Sequence, residues 1–469
     1  MSEFLIIGGG PAGTPAAMAL AQADRKVTLV EEGPGLGGTC LFEGCIPSKI
    51  FRETARRLRE IDESLDFGLC LPGTRPHLDW SAVQARKRAI LQRRSQAALE
   101  HVRRFPTLEL IQGRARLLSP RSAEIALSGG GQRRVEFEKA VIATGSVPVR
   151  PPIPGVENPR VLDSEGILDI DHVPADLVVI GGGPIGVELG QIFHAFGSRV
   201  LILEAASRLL GPVDPELSDR LRAHMEREGI EILTGSQVKA IVNTGGGAYV
   251  QYVTATGEPC QRHAENVLLV TGRHPRVEGL GLEHTRVRHG PHGIEVDAHL
   301  ETAEAGIHAL GDAVGQPMFA HWASAQALAL ARHLLGLPAA FPRPASNSAV
   351  IFSTPELGMV GLTEDQARAA GLDPAVARYD YAQDARAQIA GRDQGLLKIL
   401  YDRRSRKVVG IHALVEGAAD LMGEAALAVA AGIPIEALAT AIHPHPTLTE
   451  SFGLAARAAL AAERPRSDG

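Results

Sequence analysis

The feature that most constrains this chain is a strand, turn and helix pattern that occurs twice. "FLIIGGGPAG" runs an apolar strand into Gly8, Gly10 and Gly13; an alanine-rich helix follows, then a second strand, "KVTLVEE", that reaches Glu31. "LVVIGGGPIGVELG" repeats the arrangement with Gly181, Gly183 and Gly186, a helix, and "RVLILEA", which reaches Glu204. In both copies the carboxylate follows the first glycine by 23 residues. Glycines at these spacings allow a tight turn and a close backbone approach, so that a pyrophosphate lies against the amides and positive dipole end of the helix. The glutamate at the strand end accepts hydrogen bonds from ribose hydroxyls. A lone glycine turn is weak evidence, but two with strand, helix and acid in register predict an α/β chain with two dinucleotide-binding βαβ units.

The 469 residues, 45% of them apolar, leave room for about two to four domains with a substantial core. The formal charge of −6 is spread over residues of both signs, without a basic stripe or an acidic tail. Neither nucleic acid nor membrane is an expected partner. A strand already begins near Phe4, and no apolar run is long enough to cross a bilayer, so the expected compartment is the cytoplasm.

In that compartment a cysteine pair is usually catalytic or regulatory. Cys40 and Cys45 stand in "GGTCLFEGCIPSK", with Gly38 and Thr39 just before them. The remaining cysteines, Cys70 and Cys260, lie alone, so no four-ligand metal set is expected. A structural staple closing so short a loop is worth only about 2 kcal/mol. A redox couple and two plain thiols both remain open on this stretch. Pro47 suits the first turn of a helix, and a helix N-terminus just after Cys45 stabilises a thiolate.

Further strands end in "AVIATGSVP", through Ala143, Thr144 and Gly145, and in "VLLVTGRHP", through Thr271 and Gly272. These small-residue turns read as domain joints. "GIHALGDA" places Gly311 and Asp312 after a short strand, either as an ordinary turn or as a carboxylate facing a cofactor's sugar-like chain. After the proline-rich "LPAAFPRPAS", strand signals and alanine-rich helices mark a C-terminal domain, and the closing "RPRSDG" reads as a frayed tail.

Together with "PMFAH", ending in Ala320 and His321, "TPELGMVGLTE" and "HPHPTLTE", these motifs resemble the class I pyridine nucleotide disulfide oxidoreductases, and within them the dihydrolipoamide dehydrogenase branch. The resemblance runs nearly end to end. It implies a glutathione reductase-like fold: two Rossmann-like dinucleotide-binding domains and a C-terminal α+β dimerisation domain. The implied domains are an FAD-binding domain in two parts, 1–146 and 274–344, an NAD-binding domain at 147–273 and an interface domain at 345–469. It also implies FAD held through the first unit and Asp312, NAD held at the second unit, and Gly38, Thr39, Ala143 to Gly145, Gly272, Gly311, Ala320 and His321 lining the cofactor sites. Glu204 suits the free 2′-hydroxyl of NAD and repels a 2′-phosphate.

The same resemblance makes Cys40 the interchange thiol and Cys45 the thiol facing the flavin. It puts Lys49 near the flavin, paired with Glu188, and makes His445, oriented by Glu450, the acid/base that handles the thiol proton. Read without it, Thr447 to Glu450 is also a capping box for the last helix, and His443 is a structural neighbour. The implied enzyme is a homodimer with its sites across the interface. It oxidises a dihydrolipoyl dithiol on a separate carrier protein and passes electrons to NAD. The alternative is a related NAD(P)H-dependent disulfide reductase, or an enzyme serving a lipoyl carrier outside the 2-oxoacid dehydrogenase complexes, for example in sulfur metabolism. No cysteine follows Cys260, which disfavours mercuric reductases and large thioredoxin reductases, and "CIPSK" departs from the "CVPKK" of glutathione reductases. Departures from the family pattern fall near the substrate, at Phe42-Glu43 and the arginines Arg52, Arg56, Arg57 and Arg59; "LVEGAADLMG" in the C-terminal domain and Pro15 in the first unit depart as well. Those arginines read either as a solvated helix face or as a patch that steers an acidic lipoyl-bearing protein.

Overall fold

The computed structural model describes residues 2–70 and 77–463, so the closing "RPRSDG" lies outside the described residues. The chain forms two compact units. One comprises the segment up to Pro151 with Leu162–Val173 and Thr271–Pro342; the other comprises Pro152–Val161, Pro174–Val270 and the chain from Arg343.

The first unit is built on β1 (Ser2–Ile7), α1 (Gly13–Gln22), β2 (Val27–Glu31), α2 (Gly38–Phe42), α3 (Cys45–Asp62), α4 (Trp80–Val102), β3 (Leu108–Ser119), β4 (Ser122–Leu127) and β5 (Gln132–Ile142). Strands β3, β2, β1, β5 and a short strand, Ile307–Ala309, pair in parallel in that order, with Phe4 opposite Val27 and Ile7 opposite Ile142. β2 is buried along its whole length, and the last four residues of β1 are buried too. That is the pattern of a sheet covered on both faces. Parallel pairing sends every carboxyl end to one edge, where such sheets bind ligands. That edge therefore receives Gly8, Glu31, Ala143 and Asp312.

In the turn after β1, Gly8 has φ +108°, and a Cβ on Gly13 would lie 1.8 Å from the Gly8 carbonyl oxygen. Any side chain there would push α1 off the strand. Pro15 falls in the first turn of α1, where an N–H has no intrahelical partner, so the helix tolerates it.

The second unit contains the repeat. β6 (Asp176–Ile180), α5 (Pro184–Ala195), β7 (Arg199–Glu204), α6 (Pro215–Arg227), β8 (Glu231–Thr234) and β9 (Asn266–Leu269) form a parallel sheet in the order β8-β7-β6-β9. Gly181 has φ +117°, and a Cβ on Gly186 would lie 2.0 Å from its carbonyl oxygen, as in the first copy. The same unit holds a five-stranded antiparallel sheet of β10 (Ser348–Ile351), β11 (Leu357–Gly361), β12 (Pro374–Asp380), β13 (Leu396–Asp402) and β14 (Val408–Leu414), in the order β10-β11-β14-β13-β12. Helices α7 (Ala418–Ala431), α8 (Ile435–Thr440) and α9 (Glu450–Ala462) pack on it around Tyr381, Ile411, Leu421 and Phe452.

A buried ion cluster ties this sheet to the nucleotide-binding repeat. Lys398 on β13, 3% exposed, donates to Asp214 at 2.6 Å and lies 2.9 Å from Glu364. Asp214 also caps α6 through the N–H groups of Glu216 and Leu217. Burial opposes the lysine charge, but the bonds to Asp214 and Glu364 outweigh it and hold its pKa above the ordinary lysine value. With the folded pKa raised, this stabilisation is complete at neutral pH and is lost only as pH climbs past the ordinary lysine range. Lys398→Met is expected to lower stability by about 3 kcal/mol, because it leaves a buried carboxylate unpaired. The measurement is the urea midpoint of unfolding at pH 7.

Candidate active site

Each βαβ unit closes its ligand turn with the same clamp. Glu31 accepts hydrogen bonds from the N–H groups of Gly9 at 2.5 Å and Gly33 at 2.6 Å. Glu204 accepts from Gly182 and Ala206, both at 2.6 Å. Each carboxylate oxygen keeps a further lone pair for a ribose hydroxyl. Both helices start without a side-chain cap and without an acidic residue in the first turn, so their positive ends are open to an anion. A Cβ on Gly183 would meet nothing within 4 Å, and one on Gly10 only Gly38 at 3.7 Å. These bare backbone surfaces are what the close approach of a pyrophosphate requires, so both turns fit a dinucleotide.

The rest of the first cradle comes from distant segments. Asp312 accepts from the Ser146 hydroxyl at 2.6 Å; burial pushes its carboxyl above the usual range, against that hydrogen bond and the Arg273 charge. Gly311 donates its N–H to the buried Gln326 side chain at 2.9 Å. The Ala143 N–H bonds the Ile7 carbonyl, Thr144 bonds the Arg276 carbonyl at 2.6 Å, and Gly145 and Gly272 adopt positive φ. Ala320 and His321 open the helix Ala320–Leu334, which packs against α1. Ser146, Gln326 and Arg273 were missed in the sequence. Arg273 does follow the "TG" joint, but nothing in the chain signals that it binds Ser146, Ser164 and Glu165.

The cysteine pair sits where the short α2 meets α3. Thr39 on α2 accepts the Glu43 N–H, which shapes the turn between the cysteines. Cys45 is the first residue of α3, an 18-residue helix with no acid in its first turn. Cys40 is half-buried and Cys45 exposed, both as thiols in hydrogen-bonding reach of each other. The bond to Cys45, burial and the Cys45 charge push the Cys40 thiol up, while Lys49 and Arg94 pull it down. Cys45 stands at the positive end of α3, where a helix N-terminus favours a thiolate, while Cys40 is raised by its hydrogen bond to Cys45 and by burial. Glu43, between them, is also pushed up, by burial and by Glu165, against Arg273 and Arg276.

In the second unit, His445 is 73% exposed, and its Nδ1 lies 3.1 Å from Glu450. Glu450 also accepts the Thr447 N–H at 3.0 Å. That N–H, and then His445, hold its carboxyl below the usual range. The capping-box alternative is half realised: Glu450 reaches back to the Thr447 backbone, but the residue before α9 is Thr449, and it makes no side-chain cap. His443 is mostly buried and bonds Glu424 at 2.9 Å. Glu188, buried on α5, accepts the Phe352 N–H at 2.8 Å. On α3, Arg56 bonds Glu53 and Glu60, and Arg57 bonds Glu53, so part of that cluster is neutralised within its own helix. Among the described residues no three His, Cys, Asp or Glu side chains converge as a metal site, and no helix is long and apolar enough to cross a membrane.

Two dinucleotide turns in one chain, together with a dithiol at a helix N-terminus, point to a nucleotide-dependent redox enzyme that works through sulfur. Residues 2–327 match the family described as pyridine nucleotide-disulphide oxidoreductase, and residues 347–456 match that family's dimerisation domain. The chain belongs to this family; it is a flavoprotein disulfide oxidoreductase, similar to the dihydrolipoyl dehydrogenases, with FAD and NAD as cofactors. It is 35% identical to a dihydrolipoyl dehydrogenase of Geobacillus stearothermophilus over 98% of this chain and 96% of the other. It is 33% identical to one of Bacillus subtilis over 95% and 96%. Among solved structures it is similar to the HOCl-induced flavoprotein disulfide reductase RclA of Escherichia coli in its Cu(II) complex, with TM-score 0.87, 28% identity and coverage of 97% and 99%. LpdA of Mycobacterium tuberculosis shares the fold, with TM-score 0.89, 24% identity and coverage of 98% and 99%.

Glu31→Ala removes both bonds of the first clamp, each worth about 1.5–3 kcal/mol as a bond to a charged group. FAD dissociation constants, read from the fluorescence of released flavin, are expected to rise at least about tenfold. Glu204→Ala is expected to raise the KM for NAD and leave flavin retention unchanged.

Proposed function

We propose that this enzyme is a dihydrolipoyl dehydrogenase that oxidises the dithiol of a protein-bound lipoyl group. The observation that supports it most is the asymmetry of the cysteine pair: Cys45 is exposed and opens a helix at its positive end, while Cys40 is half-buried, hydrogen-bonded to Cys45 and pushed up in pKa. A substrate thiolate attacks Cys40 of the Cys40–Cys45 disulfide, forming a mixed disulfide and releasing Cys45 as thiolate. The second substrate thiol then closes the lipoyl disulfide, and Cys40 leaves as a thiol. His445 takes the proton from the attacking thiol and returns it to Cys40, and the imidazole, neutral again, takes the proton of the second thiol, with Glu450 fixing the ring through Nδ1 so that Nε2 does the work. FAD, which the Glu31 turn and Asp312 would hold, would supply the two-electron chemistry that links the dithiol to NAD. Lys49 is the cation that favours charge on the pair.

The working form in this proposal is a homodimer in which His445 of one subunit serves the cysteines of the other. Ile442, 98% exposed and three residues before this histidine, and the exposed Leu427 and Leu454 leave apolar surface on the dimerisation domain, as expected where a second copy covers it. The relatives' names support the dihydrolipoyl assignment. The similarity to a disulfide reductase supports the second reading, in which electrons run from a reduced nicotinamide to a disulfide.

Anaerobic NADH is expected to produce a long-wavelength absorption band from Cys45 thiolate beside oxidised flavin. Cys45→Ser is expected to abolish the band, and Cys40→Ser to show it without any reductant. A flavin-loaded wild-type protein that shows no band on reduction would falsify the redox assignment. His445→Ala is expected to cost about 10²–10⁴-fold in kcat/KM, and Glu450→Gln about tenfold. Steady-state rates of NAD reduction by dihydrolipoamide, set against NADH oxidation by oxidised disulfides, separate the two readings.

A further inference from the structure

Helix α4 carries five cations, Arg86, Lys87, Arg88, Arg93 and Arg94, against one carboxylate, Glu100. Its buried side is tightly held. Trp80 Nε1 donates to the Ile170 carbonyl at 3.0 Å, Gln84 donates to the carbonyls of Leu168 and Ile170, and the buried Lys87 bonds the Leu168 carbonyl and the Asp169 carboxylate at 2.5 Å. Lys87 is thus used internally. The four arginines are exposed, and none has a carboxylate partner among the described residues, whereas Arg56 and Arg57 of α3 are paired with acids on their own helix. Arg86 and Arg93 lie one above the other, about 10.5 Å apart along the axis at 1.5 Å per residue, and Arg94 stands on the flank.

This basic face is joined to the redox centre. Leu91, in the same stretch of α4, packs with Leu41 from between the two cysteines and with Ile50 from α3, and Phe42 joins the cluster. Arg94 is near enough to Cys40 for its charge to act on that thiol. Four unpaired cations in one stretch run against a chain whose formal charge is −6.

We propose that Arg86, Arg93 and Arg94 form the docking surface for an acidic protein surface, that of the carrier bearing the lipoyl dithiol. This rests on the dihydrolipoyl reading above. Complementary charge raises the rate of productive encounter and is screened over about 10 Å at 0.1 M salt. A small neutral dithiol does not need it.

The test uses the FAD-loaded full chain and three substrates: free dihydrolipoamide, a dihydrolipoyl-lysine peptide flanked by aspartates, and the same peptide flanked by serines. The wild type is expected to use the aspartate peptide about tenfold better in kcat/KM than the serine peptide at low salt, with the advantage gone in concentrated salt. Arg86→Glu/Arg93→Glu is expected to abolish the advantage and leave turnover of free dihydrolipoamide within about twofold, while Arg86→Lys/Arg93→Lys keeps it. Fluorescence anisotropy of the labelled, oxidised aspartate peptide gives binding without turnover. If dihydrolipoamide is inert but the reversal still weakens binding about tenfold, the dithiol activity fails and the surface stands. Equal use of both peptides by the wild type, or an advantage that survives the reversal, overturns the docking surface. So does a change in oligomeric mass by light scattering in the reversed variant, since that would assign the face to subunit contact.

Discussion

Close approach of a helix to the strand before it is the constraint on which this structure depends. It is possible only because Gly13 faces the Gly8 carbonyl and Gly186 faces the Gly181 carbonyl, at distances that leave no room for a β-carbon. That contact turns the chain sharply, aims the helix N-terminus along the carboxyl edge of a parallel sheet, and leaves backbone amides to face an anion. A carboxylate from the next strand then ties the turn down from the far side. The two units use the same clamp, so the two cofactors are met by the same physics.

Sulfur chemistry uses a helix N-terminus as well. Cys45 opens α3, so the positive end that elsewhere faces a pyrophosphate here favours a thiolate. Cys40, five residues earlier, is half-buried and hydrogen-bonded to its partner thiol. A difference in environment, with identical side-chain chemistry, makes the pair directional. His445 and Glu450 follow a parallel logic: the Thr447 backbone and the imidazole both require Glu450 as a carboxylate, so the group that orients the ring keeps its charge.

Charge placement separates the surfaces of α3 and α4. On α3, Glu53 and Glu60 neutralise arginines one helical turn away, a pairing that spacing of three or four residues allows. On α4 no acid stands at that spacing from Arg86 or Arg93, and the one buried cation, Lys87, is spent on Asp169. The four arginines without a carboxylate partner among the described residues lie on α4, which the sequence reading did not single out.

Much of the frame was legible in the chain itself, because it rests on local rules. Alternation of apolar strand, glycine turn and alanine-rich helix, the 23-residue interval to each glutamate, and a cysteine pair just before a helix start are all short-range patterns with one physical outcome. What lies far apart in sequence was not legible. No local pattern could say that Ser146 bonds Asp312, that Gln326 receives Gly311, that Lys398 gathers carboxylates from two other segments, or that Leu91 brings a basic helix against the cysteines. Those contacts depend on register and packing between segments up to 184 residues apart. The sequence by itself determined which groups exist and which turns they occupy; tertiary structure alone decided their contacts, and with them which charges are spent inside and which stay at the surface.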